Sequence, residues 1–179
     1  MEFIETKVEG VYIIEQNVFQ DSRGDFVKTF QASEFKKRNL EFNFKENYYT
    51  ESKKNVIRGM HFQNPPCCHA KLVTVIKGLV VDVILDLREG SDTFQEFIFV
   101  KLSRQNGKSV YIPKGCAHGF GVLSDFATAY YMATSEHAPN YDTGIKYNSF
   151  GFDWKNQNPI VSDRDNTLIN FSDFKTPFV

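Results

Sequence analysis

An excess of charge of either sign is what this chain most clearly lacks: 21 Lys and Arg stand against 22 Asp and Glu, a formal net charge of −1 over 179 residues. So even a balance excludes a protein built to coat nucleic acid or anionic lipid, which needs a strongly basic face. Long hydrophobic runs are missing too, and none approaches the ~18 apolar residues of a membrane span. The opening stretch, Met1 to Gly10, alternates charge with apolar residues and has neither the basic region nor the apolar core of a signal peptide. A cytoplasmic location is therefore expected. Cysteine is scarce: there are three, an odd number, and Cys67 and Cys68 are adjacent, a poor geometry for a structural bridge. Reduced thiols are the expectation.

What the chain has in abundance is aromatic side chains, 18 Phe and 8 Tyr. Aromatic and β-branched residues suit a pleated, half-buried surface, so the skew points to an all-β protein. Hydrophobic and charged shares of 41% and 24% are ordinary for a globular domain. The length suits one domain over residues 1–179, with a core at about 3–155 and a polar C-terminal wrap at 156–179. Leu72 to Leu87 carries the longest period-two pattern, interrupted at Lys77-Gly78, and predicts two strands joined by a tight turn. Shorter runs at Gly10–Ile14, Asp25–Phe30, Phe97–Leu102, Val110–Ile112, Gly119–Leu123 and Ala127–Ala133 fit the same template. Turn-forming clusters such as Asp21-Ser22-Arg23-Gly24 and Pro113-Lys114-Gly115 separate them. Only Ala32–Asn39 reads as a helix, with Ser33 as its N-cap. Short strands without crossover helices predict a sandwich or jelly roll of two packed antiparallel sheets, with one or a few short peripheral helices.

Four polar clusters interrupt this pattern. His61 lies in the strand-like run Arg58-Gly59-Met60-His61-Phe62-Gln63. Lys71 heads an otherwise apolar strand face, where an ammonium is costly unless it has a partner or a task. The others are Ile112 to Phe120, which contains His118, and Ser162-Asp163-Arg164-Asp165. Each has an ordinary reading. A lone histidine is most often structural, Lys71 could snorkel from a strand end, and the aspartates could be turn residues.

Taken in order, the segments resemble a known family. Asp21 to Phe26, Asn55 to Gln63, Lys71 to Val73, Ile112 to Phe120, Asp142 to Ile145, Asp153-Trp154 and Ser162 to Asp165 follow the sequence of motifs seen in dTDP-4-dehydrorhamnose 3,5-epimerases. The resemblance runs from about residue 3 to residue 170. It implies a cupin-like jelly roll, a homodimer, no metal and no organic cofactor. It also implies epimerisation at C3 and C5 of a nucleotide-diphosphate 4-keto-6-deoxy sugar.

Both carbons flank the C4 ketone, so their hydrogens are weakly acidic. The reaction needs a base, an acid on the other face, and a group that holds the enolate. By resemblance His61 is the base and Asp165 the carboxylate that orients it. Lys71 stabilises the enolate, and Tyr131 returns the proton, while adjacent Tyr130 points away. Arg23 and Arg58 match diphosphate ligands, and Phe26 matches a base-stacking aromatic supplied across the dimer interface. Gln63, Asn47, His118, His137 and Arg164 complete the expected substrate-binding set, although His118 could equally hold the Pro-Lys-Gly turn. Strict alternation sets Arg58 on the opposite face from His61, and a β-bulge would reconcile them.

The chain departs from the family in places. His137 stands where dTDP-specific members carry a stacking Tyr, Lys45 where many have Gln, and Cys116 where Phe is usual; Tyr48-Tyr49 suggest a one-residue shift. These changes leave GDP- and CDP-linked sugars open, as well as C3-only epimerisation or ketoisomerisation. Two readings from other classes are a non-catalytic sugar-nucleotide binding module and a metal-dependent cupin. The second would want a His-x-His pair, and neither His61 nor His118 has a histidine two residues away. Zinc on Cys67-Cys68-His69 would be a poor tetrahedral set.

Overall fold

The period-two runs become strands in a computed structural model that describes all residues 1–179. In chain order the elements are β1 (Glu2–Glu5), β2 (Tyr12–Glu15), β3 (Val18–Asp21), β4 (Gly24–Val27), α1 (Ala32–Lys36), β5 (Glu46–Lys53), β6 (Ile57–Gln63) and β7 (Lys71–Lys77). They continue with β8 (Leu79–Asp86), β9 (Phe97–Ser103), β10 (Lys108–Ile112), β11 (Cys116–Val122), β12 (Phe126–Ala133), β13 (Asp142–Gly144) and α2 (Asp163–Asn166). Two antiparallel sheets pack as a jelly roll. One has six strands in the order β1-β2-β10-β7-β12-β5; the other has five, β13-β6-β11-β8-β9. Strands β3 and β4 form a separate hairpin.

Strands β7 and β8 read as near-continuous apolar runs because both faces of each are covered. Between the sheets, Val73, Val75, Val80, Ile84, Val110, Ile112, Phe120 and Tyr131 belong to one core cluster. Alternate residues of β8 (Val81, Val83 and Leu85) pack on the other side with Trp154 and Phe178. Leu72 and Tyr111 pack outward against Phe35 of α1.

The tight turn at Gly78 joins strands of different sheets, β7 in the six-stranded and β8 in the five-stranded one. The turn needs φ +79° there, and a Cβ would sit 2.0 Å from the Phe126 carbonyl oxygen. Gly78→Ala is expected to cost at least about 2 kcal/mol, combining left-handed strain with a backbone clash, and thermal unfolding measures it. Ser33 is not the helix cap. Gln31 occupies that position, and Ser33 lies inside the first turn, where its hydroxyl accepts from Gln31 Nε2 at 3.1 Å.

Candidate active site

A cleft of about 380 Å³ opens between the two sheets. The five-stranded sheet supplies Arg58, His61 and Gln63 from β6 and His118 from β11. The six-stranded sheet supplies Lys71 at the start of β7, Tyr131 from β12, and Glu46, Tyr48 and Thr50 from β5. His69 and His137 line it from connecting segments, Asp142 from edge strand β13 and Arg164 from α2. Histidines therefore face lysine and tyrosine across the gap.

The expected conflict on β6 is resolved by a bulge. His118 pairs with His61 and Phe120 with Arg58, so three steps along β6 match two along β11. The extra residue turns Arg58 and His61 onto the same side. Glycine makes this possible: a Cβ on Gly59 would lie 2.5 Å from Gly119 Cα.

His61 Nε2 lies 2.7 Å from Asp165 Oδ1. Asp165 is buried in α2, where its own N–H donates to the capping Ser162 hydroxyl at 3.1 Å. The Gly59 N–H donates to its second oxygen at 3.2 Å. Burial works to raise the Asp165 pKa, but the His61 contact, the Gly59 N–H and Ser162 outweigh it and hold the carboxyl below the ordinary range. An ionised Asp165 accepts from Nε2–H, which leaves Nδ1 of neutral His61 as its basic nitrogen.

Lys71 is 8% exposed and lines the cleft with no side-chain hydrogen bond or ion pair. Burial pulls its pKa from 10.5 down to about 8, against the opposing charges of Asp142 and Asp82. Tyr131 is buried, and that burial raises its pKa well above the usual phenol value. Tyr130 is absent from the lining, as alternation requires.

His118 is at the cleft, and its ring is hydrogen-bonded to β8, not to the Pro-Lys-Gly turn. It is held from behind by Asp82, with Nε2 2.8 Å from Oδ2. Sequence reading overlooked Asp82, a wholly buried carboxylate whose Oδ1 has no partner. The signal was available, since an acid within Leu79-Val80-Val81-Asp82-Val83-Ile84 is as anomalous as Lys71 heading its strand. His69 was also given no role. Burial first, then the charges of Lys71, His137 and Lys114, lower its pKa to about 3, so it stays neutral.

Other expected residues divide. His137 and Arg164 are at the cleft, with Arg164 Nη2 2.8 Å from Asp142 Oδ2. Gln63 lines it too, but its amide braces the surrounding loops: Nε2 donates to the Cys67 carbonyl at 2.8 Å and Oε1 accepts from Ala138 N–H at 2.7 Å. Asn47 is a correction. The alternation of β5 sends Glu46, Tyr48 and Thr50 into the cleft, and Asn47 is exposed outside it. Arg23 and Phe26 are not brought to the cleft of this chain. They stand on the exposed β3–β4 hairpin, where Arg23 pairs with Asp21 at 2.6 Å and Phe26 is 62% exposed.

Fold and cleft together define a jelly-roll protein with an oriented histidine on one wall and a buried phenol and ammonium on the other. The chain belongs to the dTDP-4-dehydrorhamnose 3,5-epimerase family, whose profile matches residues 5–173. A dTDP-4-dehydrorhamnose 3,5-epimerase from Methanothermobacter thermautotrophicus is 40% identical over 168 residues, covering 91% of this chain and 90% of that protein. The crystal structure of dTDP-6-deoxy-D-glucose-3,5-epimerase from Legionella pneumophila, in complex with dTDP-4-keto-L-rhamnose, superposes with a TM-score of 0.92. It is 33% identical and covers 97% of this chain and 94% of that one. A 3'-monoepimerase from Streptomyces bikiniensis, in complex with dTDP-quinovose, has a TM-score of 0.88 at 26% identity, covering 93% and 86% of the respective chains.

Proposed function

We propose that the protein epimerises C3 and C5 of dTDP-4-dehydro-6-deoxyglucose, forming dTDP-4-dehydrorhamnose without a cofactor. The observation that carries this reading is the placement of a carboxylate-oriented His61 and a buried Tyr131 on opposite walls of one cleft. His61 takes the proton α to the ketone, and the C4 oxygen gains negative charge beside the Lys71 ammonium. Tyr131 then delivers a proton to the opposite face of the same carbon. The ketone re-forms, and the sequence repeats at the second carbon. A binding module would have no need of a base and an acid facing each other.

Arg58 and Arg164 suit the diphosphate, because a guanidinium presents a planar fork to phosphate oxygens. His137 is 55% exposed on its side chain and offers a flat ring for the nucleobase. In the same reading the protein is a cytoplasmic homodimer, and the β3–β4 hairpin, with Phe19 and Phe26 exposed, carries Arg23 and Phe26 into the partner's cleft.

The test is solvent exchange in D₂O with dTDP-, GDP- and CDP-linked 4-keto-6-deoxyhexoses, with incorporated deuterons counted by mass spectrometry. Two deuterons, with dTDP fastest, are expected. One deuteron would indicate a single-centre enzyme, and none would overturn the assignment. Tyr131→Phe is expected to lower kcat by about 10²-fold or more. Tyr130→Phe, off the cleft, should stay within about twofold of the parent.

A further inference from the structure

We infer that Tyr48 is a positioning residue: its ring, stacked on Tyr131, aims the Tyr131 hydroxyl at the reacting carbon and so decides whether the enolate is inverted or merely returned. The inference rests on the acid–base reading above and goes beyond it. Tyr48 and Tyr131 are direct cross-strand partners on β5 and β12. Their ring centroids are 4.8 Å apart, with an interplanar angle of 14°. His118 meets the same Tyr131 ring edge-on, at 6.1 Å and 66°. Thr50 touches the Tyr131 hydroxyl and works against burial on its pKa, but Thr50 Oγ1 makes no hydrogen bond of good geometry. Held only loosely at its hydroxyl, Tyr131 takes its orientation chiefly from ring packing. Tyr48 is the stacking half of that packing, and it lines the cleft itself.

The chemistry makes the orientation measurable. Once His61 has removed the proton, the enolate has two fates. Protonated His61 can return a proton to the original face, which regenerates the starting sugar. Alternatively the enolate electron pair forms a C–H bond with the Tyr131 proton on the other face. The C4–O⁻ becomes C=O again, and the phenolate left on Tyr131 recovers a proton from water. In D₂O the first route places deuterium in recovered substrate if His61 has exchanged with solvent; the second places it in epimerised product. A misplacement of about 1 Å can cost 10²-fold in a proton transfer. A displaced Tyr131 would suppress only the second route.

The experiment measures both rates for the wild type and for Tyr48→Phe, Tyr48→Leu and Tyr48→Thr. Tyr48 lies on an edge strand and is 39% exposed, so these changes remove little core. Thr introduces a β-branched residue suited to the strand if Leu folds poorly. Phe keeps the stacked ring and is expected to retain the wild-type ratio of exchange to inversion. Leu and Thr should raise that ratio by about tenfold, through slower inversion with exchange within about threefold of wild type. Equal losses in both rates, or no change in the ratio, would overturn the inference. So would a Phe variant that behaves like Leu, because the hydroxyl would then matter and not the ring. A wild type that takes up no deuterium would overturn the epimerase reading itself, before any variant is compared.

Discussion

His61→Asn is expected to lower kcat by about 10²–10⁴-fold and to remove solvent-deuterium uptake at both carbons. Asn is close to His in size and polarity, so the cleft should keep its shape while losing its base. Asp165 makes the prediction sharper. Its carboxylate lies 2.7 Å from Nε2 and is itself held by the Gly59 N–H. Asp165→Asn should therefore also lose most of its turnover, because an amide can favour the wrong tautomer and cannot stabilise the imidazolium that forms. Kinetics and deuterium counting on the two variants, alongside their unfolding curves, check this. A His61→Asn protein that still exchanged deuterium would place the base elsewhere, with His118 and its Asp82 partner the next candidate.

Lys71→Met should make the protein more stable and far less active. Moving the Lys71 pKa from 10.5 to about 8 corresponds to roughly 3 kcal/mol of cost in the folded state at pH 7. Met fills similar space without a charge, so Tm should rise by several degrees. The same change removes the one buried cation of the cleft, and kcat should fall by about 10²–10³-fold. The pH dependence follows with a definite sign. Between about pH 8 and 10.5 the unfolded chain binds more protons at Lys71 than the folded one, so this residue's contribution to stability rises with pH across that window. Activity runs the other way and declines as pH passes about 8, where the ammonium is lost. The Met variant should lack the stability rise, and its residual activity should lack that decline. Calorimetry and a pH–rate profile test both.

How far the site was legible in the sequence differs from residue to residue. Lys71 and His61 stood out because a charged or titratable group in a period-two apolar run conflicts with burial. Asp82 carried the same conflict and was overlooked. Strand β5 could not be read from periodicity, since it is an edge strand and its Glu46-Asn47-Tyr48-Tyr49-Thr50-Glu51-Ser52-Lys53 sequence is polar on both faces. Asn47 was consequently placed in the site, whereas Glu46, Tyr48 and Thr50 occupy it. The joint orientation of Arg58 and His61 needed one extra residue in β6, and a bulge depends on how two strands pair.

By itself the sequence determined the all-β class, most strand positions and the family to which the chain belongs. These rest on local alternation and on short motifs, both of which are written along one dimension. Only the tertiary structure decided that Gly78 leads the chain between sheets, that Asp82 backs His118, and that Tyr48 lies on Tyr131. Each of these depends on which strands become neighbours and in what register. Burying both faces of two sheets settles that for the chain as a whole, and no single segment encodes it.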